Sequence, residues 1–150
     1  MVAKATAAME GALTMEHEIV TAHELGNPVG YAHAVVAAPG RTVFLGGQTA
    51  LRPDGTIEGT TLPEQFAVAA SNVVTALRAA RGLPEDICSM QIFVTDPSDY
   101  KRHLPELGRL WQQSFGRRYP ATGLFGVTRL FDDDALIELM AVAVVPESRR

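Results

Sequence analysis

The spacing of apolar positions changes period several times along the chain. Residues Cys88 to Asp96, CSMQIFVTD, alternate: Cys88, Met90, Ile92 and Val94 on one side, Ser89, Gln91, Phe93 and Thr95 on the other. A period of two belongs to a pleated strand. Between Leu62 and Arg81 the period lengthens. Phe66, Ala69, Ala70, Val73, Val74 and Leu77 recur at three and four, which predicts a helix with one apolar face. Thr61 is placed to cap it and Glu64 to return the bond, with Pro63 tolerated in the first turn and Gly82 ending it. A second helix is predicted from Pro105 to Phe115, with Leu107, Leu110, Trp111 and Phe115 inward and Gly116 as the stop.

Four more runs suit strands. Tyr31–Ala37 and Arg41–Gln48 flank Pro39-Gly40 and are expected to form a hairpin. Gly46-Gly47 interrupts the second run, which predicts a bulge or a close approach by another chain or a ligand. Leu124–Leu130 and Leu136–Val145 close the chain around the turn FDDDA. The order is β-β-α-β-α-β-β, an α+β chain whose two helices cover one face of a mixed sheet. The other face is also apolar and has no third helix. The chain is therefore expected to self-associate through it.

Composition narrows the function. The 150 residues suit one domain, residues 16–150, with residues 1–15 either a flexible extension or the product of an upstream start, Met15 being the natural one. The net charge of -4, without a basic stripe, argues against a nucleic-acid partner. One cysteine, Cys88, excludes a disulfide framework, and four scattered histidines give no zinc spacing. No stretch approaches a membrane span, and no signal peptide is evident, so a cytoplasmic location is expected.

The segments GYAHAV, VFLGGQTALRPDGTIEG, EQFAVAASNVVTAL, VTDPSDY, YPA and LIELMAVAVV follow in an order and spacing that resembles the Rid (YjgF) family of reactive-intermediate deaminases. The resemblance spans about Tyr31 to Val145. It implies a chorismate-mutase-like subunit and a homotrimer with a barrel-like core of sheets. Small-molecule ligands would bind in clefts between subunits. Deaminating members hydrolyse enamines and imines to 2-oxo acids and ammonia without metal or organic cofactor. An Arg after the strand's Pro-Ala grips the substrate carboxylate, and a Glu on the last strand positions water.

Carried over by position, Tyr31 matches the cleft tyrosine, Gly47 and Gln48 the Gly-Gln motif, and Glu138 the catalytic glutamate. Thr122 stands where the Arg is expected, with Gly123 beside it. Leu124 replaces a frequent Cys and Leu104 a frequent Asn. A guanidinium fork matches a carboxylate and keeps its charge; a threonine does neither. The resemblance with these departures implies a deaminase-type hydrolase of altered substrate range. A non-catalytic binding or regulatory trimer and a tailoring enzyme of a secondary pathway remain as alternatives. Ribonuclease activity, attributed to parts of the family, fits poorly with the net acidity.

The remaining candidates have plainer readings. His33 shares the face of Tyr31 and suits a hydrogen-bonded place beside an interface. His103 suits a helix start, Trp111 the core, and Arg117-Arg118 a solvated pair that is otherwise a substitute cation for the cleft. His17 and His23 lie in the N-terminal region and carry little signal. Asp132–Asp134 have no companion ligands and suit a turn.

Overall fold

The structure, a computed structural model, describes residues 16–149. The expected extension at 1–15 lies outside the described residues. Helix α1 (Leu62–Ala79) starts on the capping box. The Glu64 N–H donates to Thr61 Oγ1 at 3.4 Å, and the Glu64 carboxylate accepts from Thr61 N–H at 3.2 Å and Thr60 N–H at 2.8 Å. Those backbone donors, Thr60 first, hold the carboxyl below its ordinary value. Phe66, Ala69, Ala70, Val73 and Leu77 are fully buried along one face. Burying a side chain such as Phe66 or Leu77 contributes about 1.5–3 kcal/mol. The helix ends two residues before the expected boundary. Arg81, at φ 63°, takes the left-handed conformation. Gly82 serves packing instead: a Cβ there would meet Leu77 Cγ at 2.9 Å and Val145 Cγ2 at 3.1 Å.

The strands are β1 (Glu18–Val20), β2 (Ala34–Val36), β3 (Arg41–Phe44), β4 (Ile87–Val94), β5 (Ala121–Gly126) and β6 (Ile137–Val145). Two more helices, α2 (Pro97–Arg102) and α3 (Leu104–Phe115), carry the crossover that parallel β4 and β5 require. The main sheet has the order β3-β6-β4-β5, mixed as expected. The inward alternation of β4 and β6 buries Met90, Ile92, Val94, Ile137, Leu139 and Ala141 with the residues of α1 and α3. The opposite face carries Phe44, Phe125 and Met140, 80%, 46% and 39% exposed. No described helix is long and apolar enough to cross a membrane.

One expectation fails at the N-terminal end. The hairpin of Tyr31–Ala37 with Arg41–Gln48 does not form. β2 pairs with β1, which the sequence did not suggest, and β3 pairs with β6. Alternation does not choose a strand's partner, and here β6 takes β3. His17 holds the connection between β2 and β3: its Nδ1 accepts from the Ala38 N–H at 2.9 Å. Its Nε2–H points at the carbonyls of Asp86 and Val144, each at 3.1 Å. A residue read as carrying little signal thus ties three segments together. β5 also begins and ends earlier than Leu124–Leu130. The short helix α2, capped by Asp96 on Ser98 and Asp99, was not foreseen at all.

Candidate functional site

The parallel register sets Met90 beside Thr122 and Ile92 beside Leu124. Met90 and Ile92 are buried toward the helices, so Thr122 and Leu124 share that side, while Gly123 and Phe125 take the open side. β5 is the sheet edge. Along its outer side runs the segment of Ala32, whose N–H donates to Pro120 O at 3.0 Å and which bridges Ala121. That contact carries Tyr31 to the edge. Helix α3 brings Leu104 from the other direction.

Tyr31, Leu104, Thr122 and Leu124 therefore border one cavity of about 610 Å³. This size suits a small organic ligand. The other walls are Val29, Gly30, Ile92, Tyr100, Leu107, Gly108, Trp111 and Tyr119. None is charged. Thr122 Oγ1 donates to Pro120 O at 2.8 Å, so its proton is used within the chain and its lone pairs face the cavity as acceptors. Burial pushes the Tyr100 phenol above its ordinary value, and the nearby Tyr119 phenol adds to the rise. Tyr100 is thus a neutral donor at physiological pH.

Glu138 and Gly47 lie elsewhere. Glu138 pairs with Phe93 across β4 and so stands on the open face, opposite in direction to Thr122. Phe93 stacks on Phe125 with centroids 5.6 Å apart on the same face. The break at Gly46-Gly47 is the expected bulge. Phe44 faces Val142, while Gln48 faces Leu139 and exchanges two 2.8 Å hydrogen bonds with it, one residue out of step. The close approach there is made by a side chain of the same chain, not by a second chain or a ligand. The Glu138 side chain lies across Gly47, where a Cβ would come within 2.9 Å of Glu138 Cδ. The Glu138 carboxylate has no ion-pair or hydrogen-bond partner among the described residues. Gly123 borders a second recess of about 600 Å³ with Tyr31, His33, Gln91 and Phe125.

Other candidates resolve structurally. His33 Nδ1 accepts from the Ala22 N–H at 3.1 Å, and its ring meets Tyr31 edge-on at 5.8 Å. His103 bonds Asp99 O at 2.9 Å at the start of α3. Trp111 is core, 3% exposed, yet its ring also lines the cavity. Arg117 and Arg118 border a separate 200 Å³ recess, and Arg118 pairs with Glu16 at 2.7 Å, so neither supplies a cation to the cavity. Among the described residues no three His, Cys, Asp or Glu side chains group as metal ligands. Sequence reasoning missed Tyr100, Tyr119 and Gly108 as walls. It also missed Gln65, 1% exposed, which donates to Asp134 O at 2.9 Å and accepts from Leu136 N–H at 2.8 Å. Gln65 thereby fixes where β6 starts and where Glu138 stands. A lone glutamine inside an apolar helix face was the available signal.

Comparison with known proteins agrees with this architecture. Residues 21–145 match the family described as endoribonuclease L-PSP. No curated protein matches the chain. Among solved structures, a Rid-family protein of unknown function from Yersinia pestis, YyfB, is 26% identical with a TM-score of 0.76, covering 87% of this chain and 100% of that one. A Mycobacterium tuberculosis member of the YjgF/YER057c/UK114 family is 30% identical at TM-score 0.57, covering 87% and 100%. RidA from an Antarctic Psychrobacter, 22% identical at TM-score 0.60 over 85% and 99%, shares the fold. With the family match running through every strand and helix from α1 to β6, this chain belongs to the endoribonuclease L-PSP family, which includes the Rid/YjgF proteins.

Proposed function

We propose that this protein is a cofactor-independent hydrolase of small neutral imines or enamines, acting as a cytoplasmic homotrimer in clefts between subunits. One observation carries the reading. The residues expected to act together are divided between the two faces of the sheet, Tyr31, Leu104, Thr122 and Leu124 at the cavity, and Glu138 against Gly47 on the open face. A second copy packed on the exposed Phe44, Phe125 and Met140 would supply the missing half to each.

The chemistry follows from the groups present. The cavity holds the substrate's apolar part, and the Thr122 lone pairs accept an N–H of the imine or enamine. Glu138 of a neighbouring copy takes a proton from water as the water oxygen bonds to the imine carbon. That proton passes to nitrogen and gives a carbinolamine. The carboxylate then moves the hydroxyl proton to nitrogen as the C=O bond forms and the C–N bond breaks, and ammonia and a carbonyl compound leave, an enamine having first taken a proton at its β-carbon to become the imine. Lacking a cation, the cavity forgoes on the order of 2–5 kcal/mol for a desolvated carboxylate, which favours uncharged substrates.

The test compares imines released by an amine oxidase with those released by an amino-acid oxidase. Acceleration is expected for the neutral imines and not for the carboxylate-bearing ones. Glu138→Gln is expected to lower the neutral rate on the order of 10²–10⁴-fold. Equal rates on both classes contradict the role given to Thr122. A binding module without catalysis is the second reading, favoured by one fact: Glu138 does not line the cavity of its own chain. Ligand binding with no hydrolysis in the native protein would select it.

A further inference from the structure

Gly108 sits in the middle of α3 with ordinary helical geometry, and a Cβ added there meets nothing within 4 Å. Glycine inside a helix is unfavourable relative to alanine, and here no neighbour within the chain requires it. Its place is explained by what it borders, the uncharged 610 Å³ cavity. Tyr100 and Tyr119 border the same cavity. They are close enough for Tyr119 to act electrostatically on Tyr100, and neither makes a hydrogen bond to another described residue. Tyr119 is held in place by stacking on Trp111, with centroids 5.2 Å apart. Two half-buried tyrosines bordering one apolar pocket are the kind of polar handle such a site uses to orient a ligand.

We propose that Tyr100 and Tyr119 together bind the carbonyl-type acceptor of a neutral ligand whose apolar, aromatic-sized body lies over Gly108. The rings of Tyr31, Trp111 and Tyr119 and the side chains of Leu104 and Leu107 suit a flat apolar body. The paired phenols donate to an oxygen or an imine nitrogen. This specifies the substrate class of the reading above and rests on the cavity being a ligand site, but not on Glu138 or on catalysis. Tyr100 and Tyr119 are specificity-determining residues in this proposal.

The test is calorimetric titration of the full chain with three probes of one size: phenylacetamide, phenylacetate and propylbenzene. The amide is expected to bind at least tenfold more tightly than either of the others. Tyr100→Phe and Tyr119→Phe are each expected to weaken amide binding about two- to tenfold and leave propylbenzene unchanged. Gly108→Leu is expected to abolish binding of all three. Gly108→Ala should raise Tm by about 2–4 °C, showing that the helix accepts a side chain there. Absence of saturable amide binding overturns the proposal. So does equal affinity for amide and propylbenzene, or a pair of Tyr→Phe variants that bind the amide as the native chain does. Intact amide binding in a protein that hydrolyses no imine overturns the catalytic reading and upholds this one.

Discussion

Gly47→Ala tests whether the position of one carboxylate governs activity. The new methyl would overlap Glu138 Oε1 and lie 2.9 Å from Cδ and 3.2 Å from Cγ. Ordinary carbon contacts are about 3.5–4.0 Å, so the carboxyl carbon must move by at least roughly 0.6–1.1 Å and Oε1, the nearer atom, by more. The backbone has no objection, since Gly47 is not among the positive-φ residues. The obstructing atoms are also the end of a flexible chain, half-buried on the open face. Moving Glu138 off its rotamer costs about 0.5–1.5 kcal/mol. Replacing Gly by Ala returns about 0.4–1 kcal/mol through the unfolded chain. Net stability should change by less than about 1 kcal/mol, and Tm by less than ~4 °C. Catalysis is far more sensitive, because a misplacement near 1 Å can cost on the order of 10²-fold. The assay is steady-state hydrolysis of an amine-derived imine beside a thermal melt. The expected result is kcat reduced on the order of 10²-fold with KM little changed and Tm nearly native. Native kcat in the folded variant would refute the link between Gly47 and a working Glu138.

Three further outcomes are expected. Thr122→Arg places a cation at the cavity wall and should confer measurable hydrolysis of carboxylate-bearing imines; if it confers none, the missing guanidinium is not the whole difference from deaminating relatives. His17→Ala removes the bonds to Ala38, Asp86 and Val144 and should cost about 2 kcal/mol, lowering Tm by ~4–8 °C; a Tm within ~1 °C of native refutes the fastening role. Burial pushes the Cys88 thiol above its ordinary value, with the Asp86 charge adding to it, so the thiolate forms later as pH rises. Iodoacetamide labelling should therefore climb at higher pH than for free cysteine, and a profile matching the free amino acid would contradict this.

The readable elements were those whose signals are local. The capping box at Thr61 and Glu64, the period-two run from Ser89 to Val94 and the stop at Gly116 each need only neighbouring residues, whereas Cys88, expected beside Met90 on the inward face, falls in a bulge that turns Ile87 inward instead. Partner choice was not readable that way. A strand's alternation fixes which side chains face the core but not which strand lies beside it. Pro39-Gly40 therefore suggested a hairpin, while β1 and β6, distant or unforeseen in sequence, took the two strands as partners.

The candidate site divides along the same line. The sequence by itself determined the residue types: no cation at Thr122, apolar Leu104 and Leu124, a carboxylate at Glu138, and glycine where that carboxylate comes close. Only the tertiary structure decided that Glu138 points from the opposite face, that Tyr31 runs along the edge of β5, and that Tyr100, Gly108 and Tyr119 complete the cavity. The physical reason is that side-chain direction follows from local backbone period, whereas a cavity is made by segments distant in sequence, whose register is set by the total packing of helices on the sheet.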